Sequence, residues 1–265
     1  MHIVTVATKN EGYFDYLKQS CERNGGKLEV LGWGQEWKGY AMKLNLMRTY
    51  LETLQDNEIV CFVDGYDVIV LQPIQKLENL FKSSGKKIIF SRDIDSSYIP
   101  FLAILLRIYF GKCNNYTINS GTYIGYVKDL KLLFKQIYEM YGTDDNNDDQ
   151  QILTKMCHNN SNVGIDKDRK MFLVTNNFDK NECKIKIENK RLKFNDFYPC
   201  ILHGPANYNL NTILKELGYN ISNAKNRDVI HYVSNAAIFP FIVKIIIFIT
   251  LMLVIYFILY YVSKH

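Results

Sequence analysis

Strand-like and helical stretches alternate from residue 2 to residue 93, and this alternation constrains the fold more than any other feature. The strand-type runs are "HIVTVAT", "LEVLGW", "EIVCFVDGYDVIV" and "KKIIFSRD", and the runs between them, "GYFDYLKQSCERNGG", "AMKLNLMRTYLETLQD" and "IQKLENLFKSSG", have helical apolar spacing. A repeated strand–helix order is typical of a mainly parallel sheet with helices on both faces. The sequence therefore predicts an α/β fold.

Composition narrows the class of protein. Apolar residues make up 48% of the 265 residues and charged residues 22%, which is typical of a globular chain. The net charge is +5, and because the lysines are scattered we expect no nucleic-acid partner. The six cysteines form no CxxC pair and show no zinc-type spacing, so nothing in the sequence demands a metal–thiolate site or a disulfide.

Polar residues end two of the predicted strands. Ligands of open α/β sheets bind beyond the carboxyl ends of the strands. Thr8 and Lys9 end the first strand, and Asp64 and Asp67 end the third. These four residues are therefore candidates for one cleft.

The stretch "VDGYDV" allows two interpretations. Residues three apart on a straight strand point to opposite faces, so Asp64 and Asp67 can address one ion only if the chain turns at Gly65 and Tyr66. Two carboxylates after such a turn suit Mg²⁺ or Mn²⁺, but an Asx turn that caps the strand explains these residues equally well. A haloacid dehalogenase-type phosphatase is excluded, since its second Asp would fall where Tyr66 stands.

Three later segments carry polar groups in suggestive positions. "NYTINSGTYIGY" begins a strand with small residues that allow a ligand to approach the backbone. In "TDDNNDDQQILTKM", Asp148 and Asp149 precede a helix, where acidic residues also serve as ordinary caps. "YPCILHGPANYNL" places His203 and Gly204 after an apolar strand, although a lone histidine is more often structural than a ligand.

The C-terminal residues 236–262 form an apolar run interrupted by one charge, Lys244. A run of this length exceeds the roughly 20 residues that a membrane-spanning helix needs. The sequence therefore predicts a globular domain over 1–222, a juxtamembrane linker over 223–235 and a transmembrane helix over 236–262.

The charges flanking this run and the start of the chain predict an orientation. Basic residues are more numerous before the run than after it, and "MHIVTVATKN" lacks the pattern of a signal peptide. We therefore expect a single-pass C-terminal anchor in a membrane of the endoplasmic reticulum or Golgi type, with the globular domain in the cytosol and a luminal domain as the alternative.

Six motifs together resemble one known family. "VATKNEG", "VLGWGQEWKG", "FVDGYDVIV", "INSGTYIGY", "DDQQILTK" and "LHGP" occur in the order found in the N-terminal glycosyltransferase domain of procollagen lysyl hydroxylases. The resemblance covers residues 2 to about 220 and includes none of the dioxygenase domain, as in stand-alone and viral relatives. It implies a GT-A-type, Rossmann-like fold and hexosyl transfer from UDP-glucose or UDP-galactose to a hydroxylysine or galactosyl-hydroxylysine acceptor.

The resemblance also implies roles for single residues. Asp64, Asp67 and His203 match the family's Mn²⁺ ligands, and Tyr66 matches the aromatic residue that stacks on uracil. Asp148 and Asp149 match the acidic pair beside the transferred sugar, and Asp93 takes the place of an acceptor-side acid. With the strand-end positions included, the predicted donor-binding residues are Thr8, Lys9, Trp37, Lys43, Tyr66, Asn119, Ser120, Gly121 and Gly204.

Two departures from the family's pattern and one choice of transfer mechanism remain open. The family's residues after its His-Gly pair are replaced here by Pro205, Ala206 and Asn207. On the acceptor side, Tyr98 stands in for the family's tryptophan, and the apolar stretch 101–110 is interpreted as a buried helix or as an interfacial flap. The family resembles retaining transferases, for which we favour front-face transfer over double displacement through Asp148 or Asp149.

Three functions follow in order of preference. The first is a membrane-anchored, Mn²⁺-dependent UDP-sugar hexosyltransferase with a protein or glycan acceptor. The alternative is a UDP-sugar-binding membrane protein of the same fold with weak or no turnover. The third is a membrane interaction protein whose motifs are remnants of the fold.

Overall fold

The computed structural model describes residues 1–94, 104, 107–157, 160–176, 181–205, 208–221 and 238–264. It divides into two compact units, Met1–Arg227 and Asp228–His265. The linker predicted over 223–235 lies outside the described residues, so its boundaries stay a prediction.

The first unit contains the strands and all but one of the described helices. The strands are β1 (His2–Val6), β2 (Leu28–Leu31), β3 (Ile59–Val63), β4 (Val68–Val70), β5 (Ile88–Arg92), β6 (Ile118–Tyr126), β7 (Val163–Asp166), β8 (Phe172–Val174), β9 (Ile185–Glu188), β10 (Arg191–Phe194) and β11 (Ile201–His203). The helices are α1 (Phe14–Arg23), α2 (Met42–Leu51), α3 (Ile74–Ser83), α4 (Val127–Tyr141), α5 (Asp149–Cys157) and α6 (Asn211–Glu216), and the second unit holds α7 (Ile238–Lys264).

The central sheet has six strands in the order β2-β1-β3-β6-β5-β7. β1 pairs in parallel with β2 and β3, and β5 pairs in parallel with β7, whereas β6 runs antiparallel to both β3 and β5. The prediction of a mixed α/β fold with a mostly parallel sheet is confirmed. Because β6 is reversed, its first residues, Asn119 to Gly121, lie at the edge where β3 and β5 end.

A second sheet of three strands begins at that edge. Its order is β4-β11-β8, and only Asp64–Asp67 separates β4 from β3. β11 pairs antiparallel with β4, with His203 opposite Val68, and the Gly204 N–H donates to the Asp67 carbonyl at 2.9 Å. This register brings the end of β11 beside the turn between β3 and β4.

Helices cover both faces of the central sheet. On one face α2, α4 and α5 contribute buried residues such as Met47, Phe134 and Leu153, and on the other α1 and α3 contribute Leu17 and Phe81. Their fully buried apolar side chains supply the main favourable free energy of folding. The packing of helices on both faces fixes the position of the sheet edge that carries the polar residues.

The predicted membrane anchor is contradicted. In the described part of the chain no helix combines the length and apolarity needed to cross a membrane. The prediction of a single-pass anchor in an endoplasmic reticulum or Golgi-type membrane is therefore wrong.

A disulfide joins Cys113 to Cys157, with a Cα–Cα distance of 5.6 Å and a sequence separation of 44. Cys113 precedes β6, Cys157 ends α5, and both are fully buried. The sequence did not demand this bond, because cysteine spacing alone does not show which residues meet in space. The bond fixes the end of α5 against the segment that enters β6.

We expect Cys113→Ala to lower the free energy of unfolding by about 2–4 kcal/mol under oxidising conditions, because it opens a long covalent loop in the unfolded chain. Cys61→Ala is the matched control, since Cys61 is a fully buried free thiol in β3. Denaturant unfolding with and without reductant measures both. Equal losses for the two variants under oxidising conditions would contradict a stabilising role of the crosslink.

Candidate metal and nucleotide site

The turn from β3 to β4 is shaped by Gly65. A Cβ at this position would lie 2.8 Å from the Val6 carbonyl oxygen and 3.1 Å from the Ala7 Cβ, so only glycine lets the turn cross the end of β1. The turn places Asp64 and Asp67 on the same side of the chain. This is the geometry that a shared ion requires, and a straight strand would not provide it.

Asp64, Asp67 and His203 form a compact cluster. One potential ligand atom from each lies within 4.8 Å of the others. His203 Nε2 is 3.3 Å from Asp67 Oδ1 and 3.7 Å from Asp64 Oδ2, and the imidazole is 1% exposed. Burial lowers the pKa of His203, but Asp67 and Asp64 outweigh it, so the pKa lies above its usual value.

Buried atoms of this cluster lack hydrogen bonds. Across the described ranges, the structure gives no hydrogen-bond partner to Asp67 Oδ1 or to either ring nitrogen of His203. The 3.3 Å approach of the two residues meets an ion-pair distance but not hydrogen-bond geometry. Since unpaired buried polar atoms are costly, two carboxylates and an imidazole arranged in this way fit a divalent cation.

Gly121 keeps the space beside the cluster open. The Asp64 N–H donates to the Gly121 carbonyl at 2.7 Å, which fixes β6 against the turn. A Cβ at Gly121 would overlap Asp64 Oδ2 and the His203 ring, and would lie 2.9 Å from Asp64 Cγ. The absence of a side chain in "NSG" is therefore a geometric requirement of the cluster.

Lys43 connects the cluster to a second acidic group. Its Nζ lies 3.0 Å from Asp64 Oδ1 and 2.7 Å from Asp149 Oδ2, and its side chain is 10% exposed. Burial lowers the pKa of Lys43, but the carboxylates of Asp149 and Asp64 outweigh burial and raise the pKa above its usual value. Lys43 therefore carries a positive charge between two negative ones.

Asp148 lies beside Asp149, directly before α5. Burial, and then the charge of Asp149, raise the pKa of Asp148 to about 6. The Asp148 carboxylate accepts hydrogen bonds from the Gln151 N–H at 2.9 Å and from the Tyr109 hydroxyl at 3.4 Å. Gln150 donates through Nε2 to Asp93 Oδ2 at 3.0 Å, and burial raises the pKa of Asp93. The three predicted acids, Asp93, Asp148 and Asp149, are thus linked around the start of α5, and we call them the acidic wall.

Tyr66 is fixed by its hydroxyl as well as by its backbone. The hydroxyl oxygen accepts hydrogen bonds from the backbone N–H groups of Thr8, at 2.8 Å, and Lys9, at 3.4 Å. The Tyr66 carbonyl accepts from the Tyr13 N–H at 2.8 Å. The ring is therefore held across the end of β1.

The other predicted donor residues differ in their surroundings. Asn119 and Ser120 are buried in β6, and the Asn119 side chain accepts a hydrogen bond from the Gly121 N–H at 2.9 Å. Trp37 is 43% exposed and packs edge-on against Tyr40, and the Lys9 ammonium pairs with Glu11 at the surface. Tyr98, Ala206 and Asn207, which concern the acceptor side and the His-Gly loop, lie outside the described residues.

Sequence reasoning missed two side chains of this region. Gln150 and Tyr109 each bond to one of the acids, and neither was among the candidates. Gln150 was detectable, because it follows the acidic pair directly and points from the same helical turn. Tyr109 was not, because its partner lies 39 positions away in the chain and no spacing rule connects them.

A family model decides the classification. The model described as the PLOD GT domain, a glycosyltransferase domain, matches residues 1–229. The chain belongs to this family. Its relatives include procollagen-lysine,2-oxoglutarate 5-dioxygenase 1 of Gallus gallus, 29% identical over 238 residues, and the Drosophila melanogaster enzyme of the same type, 32% identical over 222 residues. The alignments cover 79% and 76% of this chain, and 30% of each relative.

A third relative carries glycosyl transfer in its name. The multifunctional procollagen lysine hydroxylase and glycosyltransferase LH3 of Homo sapiens is 27% identical over an alignment of 230 residues, and the match covers 79% of this chain and 30% of that protein. The chain thus spans about 30% of the length of these relatives.

Two solved structures are similar in their backbone course. The galactosyltransferase LgtC, solved with donor and acceptor sugar analogues, has a TM-score of 0.48 at 17% identity, covering 78% of this chain and 88% of LgtC. Mouse xyloside xylosyltransferase 1 has a TM-score of 0.46 at 12% identity, covering 78% of this chain and 98% of that one.

We expect Mn²⁺ to stabilise the protein against thermal unfolding and Gly121→Ala to remove that stabilisation, because the new methyl group would displace Asp64 and His203. Gly125→Ala is the matched control in the same strand, where the Cβ would meet Leu130 Cγ at 3.0 Å in the core. It should lower the free energy of unfolding by about 1–3 kcal/mol and keep the Mn²⁺ effect. Thermal unfolding with and without Mn²⁺ separates the two. An unchanged Mn²⁺ shift in Gly121→Ala would contradict the cluster as an ion site.

We expect Asp148→Asn to stabilise the protein at pH 7.5 by up to about 3 kcal/mol. The pKa of Asp148 is about 6 in the folded protein and near 3.8 in the unfolded chain, so the ionised carboxylate opposes folding above pH 6. The gain should shrink as the pH falls from about 6 toward 4, where the folded protein holds the proton. Denaturant unfolding at several pH values tests this. A gain that is independent of pH would show that the charge is not its cause.

Proposed function

We propose that this chain is a Mn²⁺-dependent hexosyltransferase that uses a UDP-sugar donor, UDP-glucose or UDP-galactose. The membership in the glycosyltransferase family supports the reaction class. The observation that carries the proposal is the cluster of Asp64, Asp67 and His203 at the sheet edge, in which buried atoms of Asp67 and His203 make no hydrogen bond within the described residues. Such an edge is where α/β sheets bind their ligands.

The donor set favours Mn²⁺ over Mg²⁺. Mg²⁺ prefers all-oxygen surroundings and keeps several waters, whereas imidazole is a good ligand for softer ions. A bound ion would supply positive charge to the diphosphate that leaves with the nucleotide. Asp64, Asp67 and His203 would hold it.

The neighbouring residues bind different parts of the UDP-sugar donor. Tyr66, fixed across the end of β1, offers its ring to the uracil base, with Thr8, Lys9 and Trp37 on the nucleotide side. Lys43 supplies a positive charge to the phosphates, with Gly204 beside them. The remaining part of the proposed pocket, for the sugar, is formed by Asn119, Ser120 and Gly121.

The acidic wall serves the acceptor side. Asp148, with its pKa of about 6, is mostly ionised near neutral pH and can accept a hydrogen bond that orients the acceptor hydroxyl. Asp149 keeps Lys43 in place, and Asp93 extends the wall through Gln150. Front-face transfer, in which the departing phosphate oxygen accepts the hydroxyl proton, needs no carboxylate nucleophile and would retain the sugar configuration.

The acceptor we propose is a hydroxylysine or galactosyl-hydroxylysine side chain of a protein. Its basis is the name of the human relative, which joins lysine hydroxylation to glycosyl transfer. The relatives are about three times longer than the matched region, so the acceptor is proposed for this chain on family grounds alone.

We expect Asp67→Asn to reduce UDP release from UDP-sugar by at least about 100-fold, because it removes a charged ligand without changing the shape of the side chain. The assay uses the full chain, a panel of UDP-sugars and Mn²⁺, with and without a hydroxylysine peptide. Asp56→Asn is the control, since Asp56 is an exposed carboxylate that pairs with Lys131.

Full activity in Asp67→Asn, or turnover that persists after removal of divalent ions, would refute the metal assignment. Mn²⁺-dependent UDP binding without turnover of any donor would favour the alternative of a UDP-sugar-binding protein.

A further inference from the structure

Lys43 occupies an unusual position between two acidic groups. It lies in the first turn of α2, and its ammonium contacts Asp64 on one side and Asp149, the first residue of α5, on the other. Both Lys43 and Asp149 are buried, with 8% and 4% exposure. Few solvent molecules can therefore screen their charges.

The start of α2 is also joined to the segment that precedes α5. The Ala41 N–H donates to the Asp145 carbonyl at 3.2 Å, and the Asn45 side chain donates to the Asp145 carboxylate at 2.7 Å. A Cβ at Gly39 would overlap the same carbonyl. Lys43 is thus fixed from both ends of its helical turn and has little freedom to withdraw from Asp64.

The Asp64 carboxylate is shared between Lys43 and the candidate ion site. Oδ1 is 3.0 Å from the ammonium, while Oδ2 faces His203 at 3.7 Å. An ion bound by Asp64, Asp67 and His203 would therefore be separated from the ammonium by a single carboxylate. Like charges at such a distance repel, and the burial of Lys43 limits the screening of this repulsion by solvent.

We propose that Lys43 is a built-in counter-cation that weakens the binding of a divalent ion until a nucleoside diphosphate arrives. This inference rests on the proposed function. The negative diphosphate compensates the ammonium and the ion at once, so the ion and the nucleotide bind more tightly together than separately. The coupling is reciprocal, because each ligand must change the affinity of the other by the same factor.

A purely positional role for Lys43 predicts the opposite sign. If Lys43 only aims the Asp64 carboxylate by a hydrogen bond, its removal should weaken ion binding. If its charge opposes the ion, its removal should tighten ion binding. The affinity for Mn²⁺ alone therefore distinguishes the two roles without any measurement of turnover.

The experiment measures Mn²⁺ binding by calorimetry in the full chain, with and without UDP, corrected for Mn²⁺–UDP association in solution. Lys43→Gln keeps a hydrogen-bond donor but removes the charge, Lys43→Met removes both, and Lys43→Arg keeps the charge. Lys131→Met controls for the loss of one charge elsewhere, since Lys131 pairs with Asp56 and the Leu54 carbonyl. Thermal unfolding checks that each variant is folded.

We expect Lys43→Gln to bind Mn²⁺ alone about tenfold more tightly than the natural chain, and Lys43→Arg and Lys131→Met to bind it with nearly unchanged affinity. The factor by which UDP tightens Mn²⁺ binding should fall in Lys43→Gln. Lys43→Met repeats the test if the glutamine variant does not fold.

Unchanged or weaker Mn²⁺ binding in the folded charge-free variants would overturn the inference while leaving the proposed function intact. Tighter binding with an undiminished effect of UDP would also overturn it, since the coupling would then not depend on Lys43. Absence of Mn²⁺ binding in the natural chain and in all variants, even with UDP, would remove the proposed metal site itself.

Discussion

The register between β4 and β11 is the constraint on which the candidate site depends. Val68 pairs with His203, and the Asp67 carbonyl accepts the Gly204 N–H, so a residue 136 positions away is brought to the turn after β3. A shift by one residue would turn His203 to the other face of its sheet. The pairing of three buried residues, Ile201 to His203, therefore decides whether the two carboxylates have a third partner.

Local patterns in the sequence explain the first half of the fold well. The helical spacing in 42–51 and the apolar run in 59–63 each identify an element, because short-range periodicity records which side chains face the core. The reversal of β6 leaves no such local signal, since it follows from how a long connection returns to the sheet. For the same reason spacing alone could not reveal the bond between Cys113 and Cys157.

The site was accessible from the sequence only in part. The turn at Gly65 and the small residue at Gly121 follow from simple steric arguments once the strands are placed. The contact of Lys43 with both Asp64 and Asp149 does not, because it depends on how two helix starts meet. The membrane anchor predicted for 236–262 rested on the length and apolarity of the sequence alone, and within the described residues no helix meets both requirements.

The disulfide has a consequence for how the molecule opens. It closes residues 113–157, which include β6, α4 and α5, into one covalent loop. Proteins open locally in contiguous cooperative units, which often coincide with supersecondary motifs. Lys43 and Asp64 lie outside the loop and Asp149 lies within it, so one of the two ion pairs of Lys43, the pair with Asp149, crosses the boundary. Local opening of the loop would move Asp149 away from Lys43, while the contact of Lys43 with Asp64, outside the loop, would stay in place.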